Sequence, residues 1–135
     1  MLALEKLIAQ RLRELPALTG WAVRTGTDDA DRRPVPAVDV RMGGAEVPKA
    51  GQRAVQLQPH WQVSLVVARS DDAAATLDAA IEAVIAALHN WRPAQDGRQW
   101  SELYLQRVLP VDFSESGLVG FELTFTTSSL FHGQP

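Results

Sequence analysis

His60-Trp61-Gln62-Val63-Ser64-Leu65-Val66-Val67 decides the fold of this chain. Trp61, Val63, Leu65 and Val67 fall on one side of an extended backbone and His60, Gln62 and Ser64 on the other, the period of two that marks a strand with one buried face. Ser70-Asp71-Asp72 comes next, supplying side-chain oxygens and negative charge where a helix start needs both, and an alanine-rich run continues to His89. Residues 118–127 alternate again, with Val119, Phe121, Leu123 and Phe125 against Gly120, Glu122, Thr124 and Thr126. Ser114-Glu115-Ser116-Gly117 is a turn sequence, so residues 103–111 and 118–127 are expected as two antiparallel strands. Strand, long helix, hairpin in that order predicts an α+β fold, mostly antiparallel sheet, with the long helix packed on it.

Upstream, Leu4, Leu7, Ile8, Leu12 and Leu15 recur at helical spacing with Lys6, Gln10 and Arg13 opposite, which predicts an N-terminal amphipathic helix. Arg11 falls inside the apolar stripe, where an arginine usually lays its stem along the core edge and keeps its head in water. Pro16 stops the helix and Gly20 turns the chain into a short strand around residues 21–25. Asp28, Asp29, Asp31, Arg32, Arg33, Pro34 and Pro36 crowd one polar segment, expected as a surface loop. Val38, Val40 and Met42 alternate with Asp39 and Arg41 before Gly43-Gly44, which reads as a strand running into a turn. Pro48, Gly51 and Pro59 interrupt residues 43–59, yet residues 53–58 alternate well enough to pair. A long loop or a projecting hairpin satisfies both facts, and so irregular a segment commonly carries a binding role.

The chain has 135 residues, the size of one ordinary domain, and one α+β domain over 1–135 is expected. Hydrophobic residues at 46% and charged residues at 21% are near the globular average, which argues against disorder and against membrane residence. The formal net charge of −3 offers no global attraction to nucleic acid or anionic lipid. Without cysteine there is no disulfide, no thiolate metal site and no cysteine nucleophile. Residues 1–15 carry Glu5 and Lys6 in the first turns and do not read as a signal peptide. Residues 73–88 contain Asp78 and Glu82 and fall short of the roughly 20 apolar residues a spanning helix needs. A soluble protein of the cytoplasm is the expected reading.

Candidate chemistry is sparse. His60, His89 and His132 sit in three separate segments without zinc spacing or a nucleophile motif, and all three read as structural or surface. Asp28-Asp29-Ala30-Asp31 lacks the glycine and distal glutamate of a calcium loop. Asp71-Asp72 is explained by its place at a helix start, and the glycine spacings make no phosphate-binding fingerprint. No catalytic, cofactor or metal residue is assigned. Two features remain open. In the long helix Ala79, Ala83 and Ala86 form an arc with little bulk, either facing solvent or letting another backbone approach. Arg32, Arg33, Arg41, Lys49 and Arg53 gather in the loop-rich region, interleaved with acids, either as solubilising charge or as a surface that orients a protein partner.

The order of these elements resembles the tail-terminator proteins of bacteriophages and prophages: the helix near residues 4–15, the strands around Val38 and Gln58 with their long interruption, His60 to Val67, the alanine-rich helix, and the closing hairpin ending Gly120-Phe121-Glu122-Leu123-Thr124-Phe125. That resemblance implies a non-enzymatic virion protein without cofactors. Six copies would form a ring on the finished tail tube, stop its growth and offer a docking surface to the head or neck connector. The partners implied are the chain itself, the tail-tube protein and the connector, with no nucleic acid or membrane. Arg32, Arg33, Arg41, Lys49 and Arg53 are the candidate interface residues. A neck or head-completion protein is the neighbouring alternative. The alternative of another class is a small α+β ligand-binding domain or hydrolase using His60 or His89 with a nearby carboxylate, which requires an enclosed pocket.

Overall fold

The computed structural model describes every residue except 28–30, 32, 33, 52, 112, 114–116 and 135. Helix α1 (Ala3–Arg13) leads through a short 3-10 turn (Pro16–Leu18) to strand β1 (Ala22–Thr25), followed by β2 (Ala37–Ala50), β3 (Ala54–Ala68) and helix α2 (Ala73–Leu88). A two-residue pair, β4 (Ala94–Gln95) and β5 (Arg98–Gln99), precedes β6 (Tyr104–Val111), β7 (Leu118–Thr126) and β8 (Ser129–His132). The main sheet runs β1-β2-β3-β7-β6, with β8 added to the outer part of β3. Its ladders are antiparallel except for β1 beside β2, so the fold is α+β as the alternation predicts.

The core lies between one sheet face and the two helices. Val38, Val40, Trp61, Val63, Leu65, Leu123 and Phe125 point inward from three neighbouring strands and meet Leu4, Ile8 and Leu12 of α1 and Leu77, Val84 and Leu88 of α2. Trp61 and Phe125 stand opposite each other in the β3–β7 register and are both fully buried. Each large side chain so enclosed contributes about 1.5–3 kcal/mol of transfer free energy. In α2 the buried alanines are Ala80 and Ala87, while Ala79 and Ala86 stay exposed and Ala83 is half-buried, so the outward arc expected from the sequence exists.

Three local details differ from expectation. The N-cap of α2 is Asp72, but its side chain makes no capping bond; the Asp72 N–H instead donates to Ser70 Oγ at 3.3 Å. The two carboxylates therefore act on the helix start through charge alone. The Arg11 head does not remain in water: Nε donates to the Ala87 carbonyl at 2.7 Å and the guanidinium lies 4.7 Å from the Trp91 ring centre. It ties α1 to an end of α2 where carbonyls have no helical partner. The stretch 90–97, with Pro93 and Gly97 as breakers, predicts only a connection, yet residues 94–99 form the β4–β5 pair, which braces β8: Ser129 Oγ donates to the Gln99 carbonyl at 2.6 Å and Arg98 Nη1 to the Leu130 carbonyl at 2.8 Å.

Candidate functional site

Beyond its pairing with β1, strand β2 continues from Arg41 to Ala50 and returns as the first half of β3, with Ala50 opposite Val55. Residues 43–59 are thus the projecting hairpin, the second of the two forms the sequence allowed. At about 3.3 Å per residue, 43–50 reach roughly 25 Å along the strand. Gly43-Gly44 does not end the strand. The register passes from Met42↔Trp61 to Ala45↔Pro59, so these glycines form a bulge, with Gly44 at φ +117°. A second irregularity falls between Glu46 and Lys49 and holds Val47 and Pro48. Pro59 and Pro48 both lie where the ladder is interrupted, the places in a strand that tolerate a missing N–H.

The root of this arm is fastened by a residue the sequence gave no reason to single out. Glu5 of α1 is 2% exposed; its Oε1 accepts the Met42 N–H at 3.0 Å and its Oε2 the Thr27 hydroxyl at 3.1 Å. Gly26 N–H still bonds the Val40 carbonyl, and Glu5 takes over one residue pair further along, where β1 has ended. Only its position on the buried side of α1, beside Leu4 and Ile8, hinted at this. Near the arm's free end β8 pairs with residues 54–57, and Gly133 N–H bonds the Arg53 carbonyl at 2.9 Å.

Of the five candidate interface residues, Arg32 and Arg33 lie outside the described residues, as do the loop acids Asp28 and Asp29 and three residues of the 114–117 turn. Arg41 stands at the root of the arm, where Nε donates to Gln62 Oε1 at 2.9 Å and Nη2 is 3.8 Å from Glu122. Lys49 and Arg53 sit toward the tip, exposed, with no side-chain partner among the described residues. The basic residues therefore spread along the arm and do not cluster.

Below the arm, the sheet face turned away from the helices is polar. Arg24, Asp39, Ser64 and Glu122 succeed one another across β1, β2, β3 and β7, and Arg41, Gln62, Thr124 and Arg107 make the next row. Arg24 is buried and holds Asp39 in a two-pronged bond at 2.7 and 2.9 Å, while its Nη1 donates to the Pro34 carbonyl at 3.1 Å, which ties the loop after β1 to this face. A cleft of about 390 Å³ opens over the second row, lined by Glu46, His60, Gln62, Gln106, Arg107 and Thr124.

His60 Nδ1 donates to Gln106 Oε1 at 3.0 Å, and its Nε2 lies 3.3 Å from Glu46 Oε1. Histidine and carboxylate do meet here, but the Glu46 side chain is 70% exposed and the cleft is not enclosed. His89 ends α2 and accepts the Leu105 N–H at 3.1 Å. Among the described residues no group of His, Asp and Glu is arranged to hold a metal, and no helix is long and apolar enough to cross a membrane. Glu102 alone has a clearly displaced acidity: a hydrogen bond from its own backbone and one from Arg92, at 2.7 Å, hold its carboxyl below the usual range.

A sheet backed by helices on one side, polar on the other and extended by a braced hairpin defines a structural protein whose recognition surfaces are on its outside. The model of the phage tail terminator protein family matches residues 1–135, and the chain belongs to that family. It is a structural protein of the virion tail. Among solved structures, a chain from one described as the virion of a native gene transfer agent particle shares the fold: TM-score 0.71 and 21% identity, covering 96% of this chain and 95% of that one. No curated protein matches.

Proposed function

We propose that copies of this chain close into a ring, a hexamer, on the end of the completed tail tube, stop tube polymerisation there and present the opposite surface to the head or neck connector. Residues 1–135 act as one unit, assembled in the host bacterial cytoplasm and retained in the virion, and the role is non-enzymatic. The observation that carries this reading, given the family, is the arm. A hairpin fastened at its root by Glu5 and backed by β8 keeps Lys49 and Arg53 exposed, and without a side-chain partner among the described residues, at a distance from the core. Charges held on a stiff projection select and orient a protein partner at little ordering cost.

A ring requires a head-to-tail contact between two different surfaces of the subunit. Tyr104, Val108 and Leu109 are exposed along the edge strand β6, and Ala79 and Ala86 on α2 leave room for a neighbouring backbone. These are the surfaces we assign to the contact between copies. The test adds purified protein to polymerising tail-tube protein and measures tube length by electron microscopy. Shortened tubes with density on one end are expected. Tubes of unchanged length and bare ends would overturn the reading.

A further inference from the structure

Thr124, only 6% exposed, lines the cleft on the open face of the sheet, and its hydroxyl has no hydrogen-bond partner. His60 Nε2 is likewise without one. The amide groups beside them are polarised in one sense. Gln62 spends its oxygen on Arg41 and Gln106 spends its oxygen on His60, so each leaves its NH₂ without a partner among the described residues. Arg107 adds a guanidinium with no ion pair or hydrogen bond among the described residues. The cleft thus holds more donors, from Gln62, Gln106, Arg107 and Thr124, than acceptors, which are the Glu46 carboxylate at its rim and, with the ring proton on Nδ1, His60 Nε2. Its rim shows what suits it: the Glu46 carboxylate hangs 3.3 Å from His60 Nε2, carried on the bulged, exposed part of β2.

We infer that this cleft binds a carboxylate, an Asp or Glu side chain presented by the tail-tube protein, which enters beside His60 and displaces Glu46. The tube as source rests on the function proposed above, with the arm as the part of the subunit that meets the tube and the cleft at its root. The chemistry of the cleft does not rest on it. An acid is favoured over an amide because an amide would bring its own donors to a wall already rich in them.

The first experiment needs no tube. N-acetyl-glutamate amide and, as control, N-acetyl-glutamine amide are titrated into the protein while the Thr124, His60 and Gln106 side-chain resonances are followed by NMR. Saturable shifts with the acid alone are expected. Glu46→Gln removes the resident competitor and should tighten binding several-fold. Thr124→Val keeps the β-branched shape, deletes only an unpartnered hydroxyl and leaves thermal stability intact; binding should weaken about tenfold, the worth of one hydrogen bond to a charged group. Shifts that fail to saturate, or that are equal for acid and amide, would overturn the site.

The second experiment measures capture of tube ends. Thr124→Val and Arg107→Gln should lower it and Glu46→Gln should raise it. Capture by the wild type that none of the three changes removes the tube as the source. If the wild type itself ignores tubes, the proposed function falls, and the titration still decides the cleft.

Discussion

At the scale of single residues, two positions set how closely the strands approach one another. Gly120 is buried in β7, and a Cβ built there would run into the Leu65 carbonyl of β3 and come within 3.0 Å of the Phe113 ring. The obstacle is a backbone oxygen fixed by the ladder, so the neighbour has little room to give. Gly120→Ala should cost about 2–3 kcal/mol, seen as a lower denaturant midpoint in urea unfolding. Arg24 is the second position. With its side chain 6% exposed against 25% for Asp39, the pair is mostly withdrawn from water, and removing the cation takes the two-pronged bond from the Asp39 carboxylate. Arg24→Ala is expected to destabilise by about 2–3 kcal/mol, toward the lower end for a broken buried pair because Asp39 keeps some solvent. Arg24→Ala, Asp39→Ala combined should recover part of that loss in the same unfolding measurement.

At the scale of elements, the arm depends on Glu5 more than on any contact within the hairpin. Glu5→Ala leaves the Met42 N–H and the Thr27 hydroxyl without their acceptor, at a cost of about 1–3 kcal/mol. Hydrogen exchange should speed at Met42 and along 43–50 while the amides of β7 remain protected. The segment joining α2 to β6 is pinned differently, by Arg92 on Glu102. A carboxyl held below its ordinary range adds stability that is fully present above that range and lost as pH falls through the lowered folded value. Melting temperature should therefore decline through the acid range, and Glu102→Gln should flatten that part of the profile. These elements also show what the sequence made legible. Period-two runs in β3 and β7, and the apolar stripe of α1, announce themselves because one face is buried continuously. The outer half of β3 was legible in part, because residues 53–58 alternate well enough to pair while Pro59 and the two bulges left a loop equally open, and β8 escaped because four residues are too few to show a period. Glu5 escaped for another reason. Its bonds join residues 37 and 22 apart in the chain, and locally only its place on the buried side of α1 marks it. Of the five basic residues, Lys49 and Arg53 lie on the projecting segment and Arg41 on the strand at its root, and sequence could not show that their charges would be strung along it. The cleft, made from four strands, has no signature in any one of them.

At the scale of the whole molecule, the edges of the main sheet are guarded. The start of β6 is covered by residues 89–91, with Asn90 N–H on the Leu103 carbonyl and Leu103 N–H on the Trp91 carbonyl, and further along Pro110 has no N–H to offer. On the far side Arg13 Nη2 covers the Val23 carbonyl of β1 at 2.9 Å. Guarding of this kind suppresses indiscriminate strand addition and leaves assembly to side chains on chosen surfaces. Association through Lys49 and Arg53 should then be electrostatic in character, sensitive to salt, and separable from folding. Lys49→Glu with Arg53→Glu reverses two exposed charges that have no side-chain partner among the described residues, so the melting temperature should move by no more than the small amount typical of surface changes. Capture of tube ends should fall at least tenfold at physiological ionic strength and the wild-type advantage should shrink as salt is raised, because exposed charges are screened over about 8 Å under those conditions. Arg41→Glu provides the comparison. Its guanidinium is engaged by Gln62 and faces Glu122, so reversal there disturbs the open face as well as any partner, and a loss of capture in that variant comes with a measurable change in stability. Equal capture by the tip double variant and the wild type across the salt series would take the end of the arm out of the contact with the tube.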